Sequence, residues 1–183
     1  MSQTERDQIA IRTLLADNAI GAISPQDLRD ALASLMGYGG LVLSEAGAPS
    51  TLNSVGTAFK LIDVFNTISS QSSDVNAGGV VVTLSPTFGI TLTAAGIYKL
   101  DFFASFSSSA NNVLTSFASH VGGSAGLIQV DRFIGSGPDT AVTAMSQIAA
   151  FDAGDVLDCR VKIDAGTTNL TFLAVGFTAH RVG

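Results

Sequence analysis

A single cysteine, Cys159, rules out an internal disulfide, so a secreted scaffold stapled by cystines is excluded. Nine basic residues, scattered along a chain of net charge -6, give phosphate backbones nothing to grip, and nucleic-acid binding is not expected. No apolar run reaches membrane-spanning length, which argues against membrane insertion, and the polar start Met1-Ser2-Gln3-Thr4-Glu5-Arg6 does not read as a secretory segment. Charged residues are scarce, 13% of the chain against roughly 25% in ordinary globular proteins. With 46% hydrophobic residues, that scarcity suggests surface hidden in an oligomer, the alternative being an exterior rich in Ser, Thr and Asn.

What is present begins with two helix signals. Thr4-Glu5-Arg6-Asp7 caps a short first helix with Ile9, Ile11, Leu14 and Leu15 on its apolar side. Ser24-Pro25-Gln26-Asp27 starts a second, with Leu28, Ala31, Leu32, Leu35 and Met36 at helical spacing and Gly37 as terminator. Residues 1–37 are therefore expected to form a helical anchoring or oligomerisation segment. Residues 38–56 contain Gly39, Gly40, Gly47, Pro49 and Ser50 and read as a linker, with Leu41-Val42-Leu43 as a small strand within it.

From residue 57 to residue 183 the helical period gives way to short apolar runs divided by Gly, Ser, Asn, Asp and Pro. Strands are expected over 58–65, 79–84, 89–92, 97–106, 113–121, 127–134, 141–149, 156–163 and 170–180. The clearest is Gly96 to Phe106, where Tyr98, Leu100, Phe102, Ala104 and Phe106 share one side while Lys99, Asp101, Phe103 and Ser105 share the other. In the penultimate strand Leu157, Cys159, Val161 and Ile163 alternate with Asp158, Arg160 and Lys162, which places the thiol in the core and the charges outside. Leu173, Val175 and Phe177 are expected to fill the core from the last strand. No helix-length segment is left for a parallel crossover, so the fold class is mainly β: an antiparallel two-sheet jelly-roll sandwich with a short N-terminal helical segment. An immunoglobulin-like sandwich is the alternative, without its cysteine pair and tryptophan.

Chemistry-bearing patterns are few. Ser119 and His120 are adjacent on a strand and point to opposite faces, which does not make a nucleophile and base. His180-Arg181 reads as a polar terminus. Asp152, Asp155, Asp158 and Asp164 lack the spacing of a calcium loop, and Phe151-Asp152-Ala153-Gly154-Asp155 reads as a turn. No catalytic, cofactor-binding or metal residue is assigned, and an enzyme is not expected.

The run from Leu92 to Phe106, Leu-Thr-Ala-Ala-Gly-Ile-Tyr-Lys-Leu-Asp-Phe-Phe-Ala-Ser-Phe, together with Phe151-Asp152-Ala153-Gly154-Asp155-Val156-Leu157, resembles the trimeric jelly-roll superfamily of complement globular heads and tumour-necrosis-factor-like ligands. That resemblance implies a homotrimer, with Phe103 and Tyr98 as contact candidates. A second segment, Asp17-Asn18-Ala19-Ile20-Gly21-Ala22-Ile23-Ser24-Pro25-Gln26-Asp27-Leu28-Arg29-Asp30, resembles one recurring in tailed-bacteriophage virion proteins. Together they imply a virion protein made in the host cytoplasm: a head fibre, decoration protein or short spike, held to a phage capsid or tail protein through its N-terminal segment. The alternative is a tail-associated protein that recognises a host-surface glycan through the loops carrying Asn111, Asn112 and Asp139.

Overall fold

The computed structural model describes residues 37–43, 49–70, 80–84, 86–135 and 139–182. The two helices expected within 1–37 lie outside the described residues, and among those residues there is no helix. The strands are β1 (Tyr38–Val42), β2 (Ser50–Val55), β3 (Lys60–Leu61), β4 (Thr67–Ser70), β5 (Val80–Thr83), β6 (Gly89–Leu92), β7 (Gly96–Ser108), β8 (Val113–Val121), β9 (Ser124–Ile134), β10 (Ala141–Phe151), β11 (Val156–Ile163) and β12 (Thr168–Arg181).

Two antiparallel sheets result. The first runs β10-β7-β12-β1-β4, with β2 also on β12; the second runs β5-β6-β11-β8-β9, with β3 also on β11. The pairs nest: β8 with β9, β7 with β10, β6 with β11 and β1 with β12. Successive pairs alternate between the sheets, so one long antiparallel ribbon is wound across the sandwich, which is the jelly-roll path.

The inward residues of β7 are buried as their alternation predicts: Tyr98, Leu100, Phe102, Ala104 and Phe106. Across the sandwich Phe117 of β8 meets Phe102 at 5.4 Å, Phe106 at 4.9 Å and Phe172 at 6.4 Å between ring centres. These rings tie β7, β8 and β12 together with offset and edge-on contacts. Leu157, Cys159, Val161 and Ile163 fill the second sheet's inner face, and burial pushes the Cys159 thiol well above its usual range. The thiol therefore packs as a small apolar group.

Three sequence readings need correction. Within 38–56, read as a linker, β1 and β2 are both hydrogen-bonded to β12. Gly39 faces Val80 and Val82 while Gly40 faces Thr178, so glycine is there to let neighbours close in and not to loosen the chain. The expected strand over 58–65 shrinks to Lys60–Leu61 on β11, and a separate β4 follows. In β12 the register shifts between Phe172 and Ala174, so Phe172 enters the core while Leu173 is 44% exposed.

Candidate functional site

The outward side chains of the first sheet line up in rows set by strand register. Ala150 of β10 lies opposite Ile97 of β7. The next row is Ile148, Lys99, His180 and Tyr38, taken across β10, β7, β12 and β1. Below it come Ser146, Asp101, Thr178 and Gly40, then Ala144, Phe103, Gly176 and Val42. Val142 and Ser105 form the last pair before the β12 bulge.

This face leaves large apolar groups in water. Val142 is 66% exposed, Ile148 65%, Phe103 47% and Ile97 45%. The Phe103 ring lies over Gly176, where a methyl group would collide with it. Phe103 also borders an open depression of about 430 Å³ lined by Asp101, Phe102, Ala144, Met145 and Ser146. Apolar side chains exposed together on one face make it the candidate docking surface. Tyr98, the other expected contact residue, is not on it: the ring is fully buried in the core, stacks edge-on with Phe151 and donates its hydroxyl to the Ala94 carbonyl at 2.8 Å.

A polar band crosses the middle of the apolar face. Lys99 and Asp101 form an ion pair at 2.9 Å. Burial alone raises the Asp101 carboxyl, but hydrogen bonds from Lys99 and Ser146 outweigh it and hold the group below its ordinary value. Beside them the His180 ring lies 4.3 Å from that of Tyr38. Burial lowers the His180 pKa, against the upward pull of Asp101 and with a smaller downward push from Lys99. Arg181 points the other way, its Nη2 donating to the Ala95 carbonyl at 2.9 Å, so His180 and Arg181 are not brought together.

The second sheet's outer face is covered differently. Asp158, expected outside, is only 6% exposed: Arg160 grips its two carboxylate oxygens at 2.8 and 3.0 Å, and His120 stands opposite it in the ladder. Phe59 closes over this group, edge-on to His120 at 4.9 Å, with the Lys162 ammonium 4.6 Å from its ring centre. Ser119 faces inward and donates to Gln147 at 3.2 Å, so Ser119 and His120 do lie on opposite faces.

Burial is the main reason His120 is held below its ordinary value, with the Ala118 carbonyl and Asp158 pulling upward and Arg160 downward. The folded chain thus takes up a proton at His120 only at lower pH than the unfolded chain, which protonates it near 6.5. Its contribution to stability is complete above that pH and is lost as the pH falls toward the lower folded value. His120→Gln is expected to flatten the acid arm of a urea-midpoint-against-pH curve, measured by circular dichroism, where the parent chain declines.

At the end of the sandwich where β8 begins, the Asn112 amide donates to the Gly135 carbonyl at 3.3 Å, and the Gly135 amide donates to the Asp139 carboxylate at 3.0 Å. Asn111, Asn112 and Asp139 are thus on neighbouring loops, as the glycan alternative requires; residues 136–138 lie outside the described residues. The turn at Asp152–Asp155 lies at the opposite end, where the Asp152 amide donates to the Asp155 carboxylate and Gly154 holds a φ of 94°. Among the described residues no three His, Cys, Asp or Glu side chains come together to hold a metal ion.

No protein-family model matches this chain, and no curated protein matches it. Among solved structures it is similar to a PRD1 vertex protein P5, with TM-score 0.48 and 18% identity over 80% of this chain and 73% of that one. It is also similar to the globular domain of zebrafish complement 1qA, with TM-score 0.47 and 14% identity over 81% and 98%. The Eiger TNF of S. frugiperda aligns at TM-score 0.55 and 15% identity over 81% of this chain and 93% of that one, which shows that the two share a jelly-roll fold.

Proposed function

We propose that this protein is a structural component of a tailed-bacteriophage virion, a homotrimer that serves as a head fibre, decoration protein or short spike and is attached through residues 1–37. The observation that carries the trimer is the outer face of the first sheet, where Ile97, Phe103, Val142 and Ile148 stand exposed. Its band holds one cation, Lys99, and one anion, Asp101. Copies of a chain whose net charge is -6 can therefore meet there without facing like charge across the contact. Covering the exposed part of each of these four side chains contributes about 1 kcal/mol apiece.

The virion assignment is supported by the segment from Asp17 to Asp30 and its resemblance to phage virion proteins. The division of labour is testable by electron microscopy of particles assembled with the full chain and with a chain truncated through Gly37. The truncated chain is expected to lose its place on the particle while remaining a soluble trimer. Full occupancy without residues 1–37 contradicts anchoring by that segment.

A second reading, attachment to a host glycan, has the convergence of Asn112, Gly135 and Asp139 at one end in its favour. It requires purified trimers to bind host cells or envelope glycans, and Asn112→Ala with Asp139→Ala to abolish that binding. Particles that incorporate the protein while the trimers bind neither leave the structural role standing alone.

A further inference from the structure

The polar band on the first sheet is an odd feature for a face otherwise suited to dry contact. Ile97 and Ala150 lie on one side of it, Phe103, Ala144 and Val142 on the other, and Ile148 at its β10 end, so copies that cover the apolar groups must also cover Lys99, Asp101, His180 and Tyr38. We propose that the contact between copies across this face is released by acid, through protonation of His180 beside Lys99. The inference rests on the reading that copies meet on this face.

Burial of His180 within the contact settles the direction, against the net pull of the charged groups that face it. From β7 come Lys99, directly opposite it, and Asp101; from β1 comes Tyr38; β10 supplies Ile148 in the same row and Ser146 in the next, neither of which titrates. With His180 neutral, the band's one cation and one anion cancel. Asp101, already engaged by Lys99 and by Ser146, draws a new imidazolium more strongly than Lys99 repels it, and it is burial of the charge that opposes protonation. Every copy in the assembly acquires that charge at once, inside a contact from which water has been removed. Burial in the contact adds to the lowering already present in the single chain, so association is favoured above the ordinary histidine value and lost as the pH falls below it.

The test is sedimentation velocity of the full chain at about pH 7.5 and about pH 5, with circular dichroism on the same samples, for the parent, His180→Gln and His120→Gln. The expected result is a trimer at the higher pH and a folded single chain at the lower one for the parent and for His120→Gln, with His180→Gln trimeric at both. A rise of about tenfold or more in the parent's dissociation constant is the effect to be read. A parent that stays trimeric at both pH values overturns the acid release and leaves the docking face intact. Acid dissociation that persists in His180→Gln, or that His120→Gln removes, assigns the response to another group and overturns it equally. A parent that is a single chain at the higher pH sinks the docking face and the release together.

Discussion

Phe117→Ala is expected to lower the free energy of unfolding by about 3–5 kcal/mol. Phe117 is fully buried and touches Phe102, Phe106 and Phe172, so one ring joins β8 to two strands of the other sheet. Deleting it removes the ring's own burial and leaves a cavity that three stiff neighbours cannot fill by small shifts. Against total stabilities of about 5–15 kcal/mol the loss is a large fraction, and it is read from the urea midpoint at fixed protein concentration. Phe117→Leu, which keeps most of the volume, is expected to cost clearly less. A loss below about 1 kcal/mol for the alanine variant contradicts the arrangement of the core.

The second large effect is on assembly. Phe103→Asp is expected to convert trimers to folded single chains at micromolar concentration, because a carboxylate in a dry contact has no partner to offset its desolvation. The fold survives because the ring is 47% exposed and rests on Gly176, so its removal leaves no internal void. Phe103 and Phe117 separate the two roles of the aromatic residues: one change lowers the unfolding midpoint, the other lowers the mass. Light scattering that finds Phe103→Asp still trimeric places the contact elsewhere.

Much of the sandwich was legible because its longest strands alternate cleanly. The Tyr98-to-Phe106 alternation gave the inner face of β7, and the same period placed Cys159 in the core. That alternation also put Phe103 on the outer side, which is where the candidate contact lies. Alternation fails where a strand must admit close neighbours on both faces: β1 reads as a loop because Gly39 and Gly40 stand where Val80, Val82 and Thr178 press in. Leu173 was assigned inward because a strict two-residue period knows nothing of the bulge beside Phe172.

Asp158 shows a different limit. A carboxylate in an alternating strand reads as solvent-facing, and its burial depends on Arg160 two residues away and on His120 and Phe59 from elsewhere in the chain. Tyr98 reads inward by its period and outward by the resemblance to trimeric jelly rolls; its full burial and its hydroxyl bond to Ala94 decide for the core. The polar band of Lys99, Asp101, His180 and Tyr38 joins residues from three strands far apart in sequence. Only the register of β7, β12 and β1 makes it one feature.

The central claim is that the chain hides the outer face of its first sheet against copies of itself. Sedimentation equilibrium of the full chain at neutral pH tests it most directly. The account predicts three times the chain mass of 18.7 kDa, falling to one chain for Phe103→Asp. A parent protein that sediments as one chain at micromolar concentration, with Ile97, Phe103, Val142 and Ile148 facing water, contradicts it.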